Sequence, residues 1–132
     1  MIVSVAGAVA LAVPTLAVPT LAAAQPTGEQ LFNDNCAACH QKTGVGVKGA
    51  FPALAADKFV TGPAPQVTAT VLVGRGGMPA FKSELSDDQL AAIVSYVRSA
   101  WGNKAAPVSA ADVAATRSRA SALAQPAGLQ AH

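Results

Sequence analysis

Two cysteines and one of two histidines fall within five positions of a 132-residue chain, in the run CAACH: Cys36, Cys39 and His40. The sequence holds no other cysteine, and its second histidine is the last residue, His132. Any fold has to build around that cluster. The part with the composition of a domain, from about Gln25 to Trp101, is short. Below about 80 residues a hydrophobic core is marginal without disulfides, a metal or a cofactor. One cysteine pair is the only covalent staple available. The composition therefore calls for a bound group that supplies buried apolar surface.

The ends of the chain differ from this middle. Residues 1–28 carry no charged side chain, and every Asp, Glu, Lys and Arg lies between Glu29 and Arg119. The apolar run ends in AAAQ, and Ala22 and Ala24 satisfy the small-x-small rule of a secretory cleavage site, which predicts Gln25 as the mature N-terminus. No Lys or Arg near Met1 forms a basic n-region. The competing expectation is an uncleaved membrane anchor of sufficient length, interrupted by Pro14 and Pro19. We read residues 1–24 as an export signal or N-terminal anchor, 25–103 as the folded domain and 104–132 as an Ala/Ser-rich tail, weakly helical or disordered. The formal charge of +2 and the lack of a basic run interleaved with aromatics argue against nucleic acid as a partner.

Helical patterns dominate the middle. Thr27 is a candidate N-cap for GEQLFNDNC. The segment AACHQKTGVGVKGAFPAL reads as loop, as does Asp57 to Pro65. Pro65 suits the first turn of a helix over QVTATVLVG, with Val67, Val71 and Leu72 buried and Gly74 as its C-cap. Ser86 and Gln89 form a capping box, and Leu90, Ile93, Val94, Val97 and Trp101 follow on one face until Gly102 stops the helix. Beyond Asn103, a weak helix capped by Ser109, with Val113 and Leu123 apolar, lacks the large side chains to build a core. No stretch alternates with period two. The expected fold is all-α: three main helices joined by long glycine-rich loops. Such loops are at odds with a compact domain unless they wrap something.

Several chemistries share the CAACH spacing. Structural zinc needs four ligands, and the run offers three. A thioredoxin-like pair sits in a βαβ unit, and no strand pattern precedes Cys36. A disulfide across two residues closes a tiny loop, contributes little, and leaves His40 unexplained. C-x-x-C-H is the attachment signature of c-type haem. Two thiols joined to the porphyrin vinyl groups form thioethers, and the next residue, His40, reaches the iron. One covalent haem c, held through Cys36 and Cys39, uses all three residues.

The occupant of the second axial position decides between electron transfer and ligand binding. The candidates are Met1, His132 and Met78. Met1 belongs to the export segment and His132 to the tail. Met78 lies in GRGGMPAF between Gly77 and Pro79, on no helical face. A core methionine normally sits on such a face. His40 and Met78 are the expected iron ligands, and a neutral thioether favours ferrous iron and a raised reduction potential.

With these motifs the chain resembles the class I, mitochondrial-type cytochromes c of bacteria, over about Thr27 to Trp101. The resemblance rests on CAACH, on GRGGMPAF, whose Met78 stands 38 residues after His40, and on Gly28, Phe32 and Cys36 in Gly-x-x-x-aromatic spacing before the first cysteine. It implies that Gly28 lets the first helix cross the last closely, against Tyr96. It also implies that the carbonyl of Pro52, in GAFPAL, accepts the N–H of His40. More narrowly, VLVGRGGMPAF and LSDDQLAAIVSYVRSAWGN resemble cytochrome domains or subunits that accept electrons from periplasmic dehydrogenases.

One-electron transfer is therefore the expected function, from a dehydrogenase donor towards an oxidase or other cytochrome, in the periplasm and with membrane association through residues 1–24 left open. No acid–base or nucleophile constellation points to an enzyme. Lys42, Lys48, Lys58, Arg75 and Lys82 are candidates to ring the haem edge and steer an acidic partner, and Arg75 alternatively pairs a haem propionate. Two alternatives remain: a peroxidase or gas-binding haem protein with a labile Met78, and a docking subunit whose tail packs on a dehydrogenase.

Overall fold

The computed structural model describes residues 24–124. Ala22 of the expected cleavage motif, the anchor reading of the N-terminal segment up to residue 23, and the candidates Met1 and His132 lie outside the described residues. The expected all-α fold is found: among the described residues there are six helices and only two isolated β-bridges, Val47 with Phe51 and Arg75 with Met78.

The first helix, α1 (Gly28–Asn35), starts at the predicted cap. Thr27 accepts from the Gln30 N–H, and the Gln30 side chain accepts from the Thr27 N–H in return. Its Leu31 and Phe32 are buried. Two single turns interrupt segments expected as loop: α2 (Ala37–His40) and α3 (Lys58–Thr61), the latter capped by the Asp57 carboxylate on the Val60 N–H. The helix α4 (Ala64–Val73) carries Pro65 in its first turn and ends at Gly74, which has φ +76°. Val67 and Leu72 are buried as expected, Val71 is half-buried, and Thr68 joins the buried face.

The Ser86–Gln89 capping box opens α5 (Asp87–Ser99). Leu90, Ile93, Val94 and Val97 are buried along it. The helix ends before the predicted stop, because Trp101 is not helical: it has φ +51° and Gly102 follows with φ +84°. This turn carries the indole back over α1. Its ring centroid lies 5.0 Å from Phe32 and 5.4 Å from Tyr96, and its Nε1–H donates to the Lys42 carbonyl (3.0 Å).

The α1–α5 crossing is as close as the resemblance implies. A Cβ at Gly28 would come within 2.9 Å of the Tyr96 Cβ and closer still to the Ala92 carbonyl oxygen. Only glycine leaves the two backbones this close together.

The tail corrects an expectation. Residues 104–109 double back along α5, where Ser95 Oγ donates to the Val108 carbonyl (3.1 Å) and accepts from the Val108 N–H (2.9 Å). The chain then forms α6 (Ala110–Ala124), packed on α4 and α5. It begins with the predicted Ser109 cap, reinforced by Asp112 accepting from both the Ser109 hydroxyl and N–H. Val108, Val113 and Thr116 are buried, with Val113 fully enclosed. The helix contributes to the core because its alanines allow close approach, so a few medium-sized side chains suffice. Leu123, the other apolar residue expected on it, has no described side-chain environment. No helix among the described residues is long and apolar enough to cross a membrane.

Candidate functional site

Helices α1, α3, α4 and α5 do not close on one another in the middle. They leave a cavity of about 430 Å³, within the range of roughly 300–1,000 Å³ typical of small-molecule and cofactor sites. Its walls include Phe32, Val60, Val67, Phe81, Ile93 and Val94. All six residues expected at the site line it: Cys36, Cys39, His40, Pro52, Arg75 and Met78.

Cys36 and Cys39 flank the α2 turn, with His40 closing it. The turn is held by the Cys36 carbonyl, which accepts from the N–H groups of Cys39 (3.2 Å) and His40 (3.0 Å). Immediately afterwards Gln41 takes φ +63°, a strained conformation for a non-glycine residue costing about 1–3 kcal/mol. Both thiols are free and half-buried. Burial, with the charge of Cys39 adding to it, pushes the Cys36 thiol up to about 11. A thiol so raised is not the thiolate that a redox or nucleophilic cysteine needs at neutral pH.

The buried His40 ring is oriented by a single bond. A carbonyl oxygen can only accept, so it is the Nδ1–H that donates to the Pro52 oxygen, at 2.9 Å. That bond fixes the tautomer and leaves the Nε2 lone pair as the ring's free ligating atom. The Pro52 loop is itself held down. The Gly44 carbonyl accepts from Leu54 and Ala55 N–H, and the Asn103 Nδ2 donates to the Leu54 carbonyl (2.9 Å) and to Val97 (2.8 Å).

Met78 sits, half-buried, in a closed turn. The Arg75 N–H donates to the Met78 carbonyl (3.2 Å) and the Met78 N–H to the Arg75 carbonyl (3.0 Å). The Arg75 guanidinium lies 5.8 Å from the Phe59 ring centroid at the cavity mouth. Phe51 and Phe59 line the cavity but stay exposed. The other predicted edge cations, Lys42, Lys48, Lys58 and Lys82, are all exposed and stand outside the cavity lining.

The donor set suits a haem. An imidazole with one free nitrogen, a neutral thioether and two adjacent thiols face one apolar cavity, and no group of three or more His, Cys, Asp or Glu side chains suited to a bare metal ion occurs among the described residues. Sequence reasoning missed three contributors. Asp57 and α3 bring Phe59 and Val60 to the cavity, a cap signal legible in retrospect. Asn103 holds the Pro52 loop. Arg98, buried on α5, donates to the carbonyls of Val60 (2.8 Å), Gly62 (2.8 Å) and Ala106 (2.9 Å). Neither Asn103 nor Arg98 has a local sequence signal, since both partner with backbone carbonyls far away in the chain.

Comparisons with known proteins place the chain among cytochromes. The family model described as "Cytochrome C oxidase, cbb3-type, subunit III" matches residues 23–97. A cytochrome c subunit of alcohol dehydrogenase (quinone) from Gluconobacter oxydans is 36% identical over 99 residues, covering 65% of this chain and 21% of that protein. A gluconate 2-dehydrogenase cytochrome c subunit from Pantoea cypripedii is 34% identical over 105 residues, covering 69% of this chain and 24% of that protein. Cytochrome c6 from Leptolyngbya boryana is 45% identical over 74 residues, covering 53% of this chain and 85% of that protein. The chain thus spans between a fifth and a quarter of these dehydrogenase subunits, but most of cytochrome c6.

Proposed function

The chain belongs to the cytochrome c family whose model matches residues 23–97, with class I character, and from that premise we propose that its haem iron is held between His40 and Met78. It is an electron carrier with one site for covalent haem c, at Cys36 and Cys39. When bound, the haem supplies an iron that gains or loses one electron. The observation that carries the ligation is the convergence of His40, Met78 and both cysteines on one apolar cavity.

The chain's own residues do the rest. His40, locked by Pro52, presents Nε2 without rotating. The thioether of Met78 adds no charge, and the apolar walls exclude water; both favour the less charged ferrous state and a high potential. Arg75 at the mouth is placed to pair a propionate. The exposed Phe51 and Phe59 leave an apolar edge for close approach, and the nearby cations steer an acidic partner.

The likeness to dehydrogenase subunits supports a relay from a periplasmic dehydrogenase towards a respiratory chain. Export through residues 1–24 accords with the charge-free start of the sequence. The test is the Met78→Ala holoprotein. Its potential should fall by on the order of 100 mV, within the ~0.8 V span that axial ligands control, and its ferrous form should bind CO readily where the parent does not. An unchanged potential would sink the ligation. Rapid CO binding by the parent would favour the gas-binding or peroxidase reading instead.

A further inference from the structure

The turn that presents Met78 is anchored differently on its two sides. Upstream it closes on itself through the paired Arg75 and Met78 backbone bonds. Gly74 packs against it so tightly that a Cβ there would stand 2.5 Å from the Met78 carbonyl oxygen. Downstream, Pro79 and Ala80 are exposed, and the next fixed points are Phe81 and Lys82. Their N–H groups donate to the carbonyls of Val71 (3.1 Å) and Leu72 (3.2 Å) on α4.

That downstream anchor is gripped from its other side by α6. The Arg117 guanidinium donates to the Lys82 carbonyl and to the Leu85 carbonyl (3.0 Å), and it pairs with the Asp87 carboxylate at 2.8 Å. One planar fork therefore ties α6, the segment 82–85 and the first turn of α5 together. A lysine, with a single ammonium, cannot span three acceptors in this way.

We propose that Arg117 is a positioning residue for Met78: it fixes the downstream anchor of the sulfur-bearing turn and so sets how firmly the thioether stays on the iron. The proposal rests on Met78 as axial ligand. A neutral thioether attracts iron weakly, so its hold depends on how rigidly the chain presents it, and ligating groups need support to within about 0.5 Å. With the fork removed, residues 79–82 keep the α4 bonds and the burial of Phe81 but lose their tie to α6 and to the first turn of α5.

The test uses holoprotein carrying Arg117→Met, which keeps the aliphatic stem and loses the donors. Val113→Ala serves as a control that loosens α6 while leaving every donor of the Arg117 guanidinium in place. The readouts are the rate of CO binding to the ferrous protein and the iron–thioether charge-transfer band of the ferric protein. Arg117→Met should raise the CO rate about tenfold, the equivalent of one lost charge-assisted hydrogen bond, and weaken the band. Val113→Ala should leave both near the parent values. If Val113→Ala raises the rate as much as Arg117→Met at an equal loss of melting temperature, the effect is general loosening and the proposal fails. A raised rate for Met78→Ala beside an unchanged rate for Arg117→Met sinks this proposal alone. A Met78→Ala rate equal to the parent's sinks the axial assignment and the proposal together.

Discussion

At Gly28 one absent methyl group decides whether the α1–α5 crossing can form. A Cβ there would collide with the Ala92 carbonyl and the Tyr96 Cβ, both on the backbone-side surface of α5, where neither can swing away. Gly28→Ala should therefore cost about 1–3 kcal/mol, the usual penalty for overpacking. Thermal denaturation of the holoprotein would read it, and a melting temperature equal to the parent's would show that the crossing can relax. Gly28 and Pro52 were legible only through the resemblance to a known family, whose motifs Gly28, Phe32 and Cys36 and the GAFPAL segment match. Arg98 was not. A lone arginine on an amphipathic helix reads as solvated, yet this one is 5% exposed and satisfied by three backbone carbonyls. Carbonyls belong to every residue, so such a site leaves no trace in the sequence.

Among the elements, those with strong caps and a wide apolar stripe could be read directly: α1, α4 and α5. The single turns α2 and α3 could not, because four residues carry no periodicity. Trp101 was misplaced for a different reason. It keeps the spacing of the α5 stripe, but tertiary contacts with Phe32, Tyr96 and the Lys42 carbonyl hold it at φ +51°. The helix α6 was underrated because core-building was judged by side-chain size.

The start of α6 depends on a carboxylate. Hydrogen bonds from the Ser109 hydroxyl and then its backbone N–H hold the Asp112 carboxyl below its ordinary value of 3.8. A depressed folded-state pKa gives a contribution that is present above the ordinary value and lost as pH falls through the folded one. The first turn of α4 contains no titrating group. In the holoprotein, amide protection at residues 110–113 should therefore drop on acidification below about 3.8 while residues 66–69 keep theirs. Equal loss at both helix starts would contradict this.

For the molecule as a whole, the cofactor is part of the core. A cavity of about 430 Å³ walled largely by apolar side chains leaves much of the domain's interior without packing partners unless a bound group fills it. The long glycine-rich loops, out of place in a short domain, are explained the same way: they wrap the site. The sequence therefore revealed the cofactor more plainly than the packing around it, because the thiols and imidazole of CAACH have few other uses while a supporting backbone contact has many possible sources.

The central claim is that one iron is gripped by His40 and by the sulfur of Met78 inside this cavity. Proton NMR of the reduced holoprotein tests it directly, because a methionine methyl lying against a porphyrin face is driven far upfield by the ring current. One such three-proton resonance is expected in the parent and none in Met78→Leu. A parent spectrum with no shifted methyl, or a shifted methyl that survives the substitution, would contradict the claim.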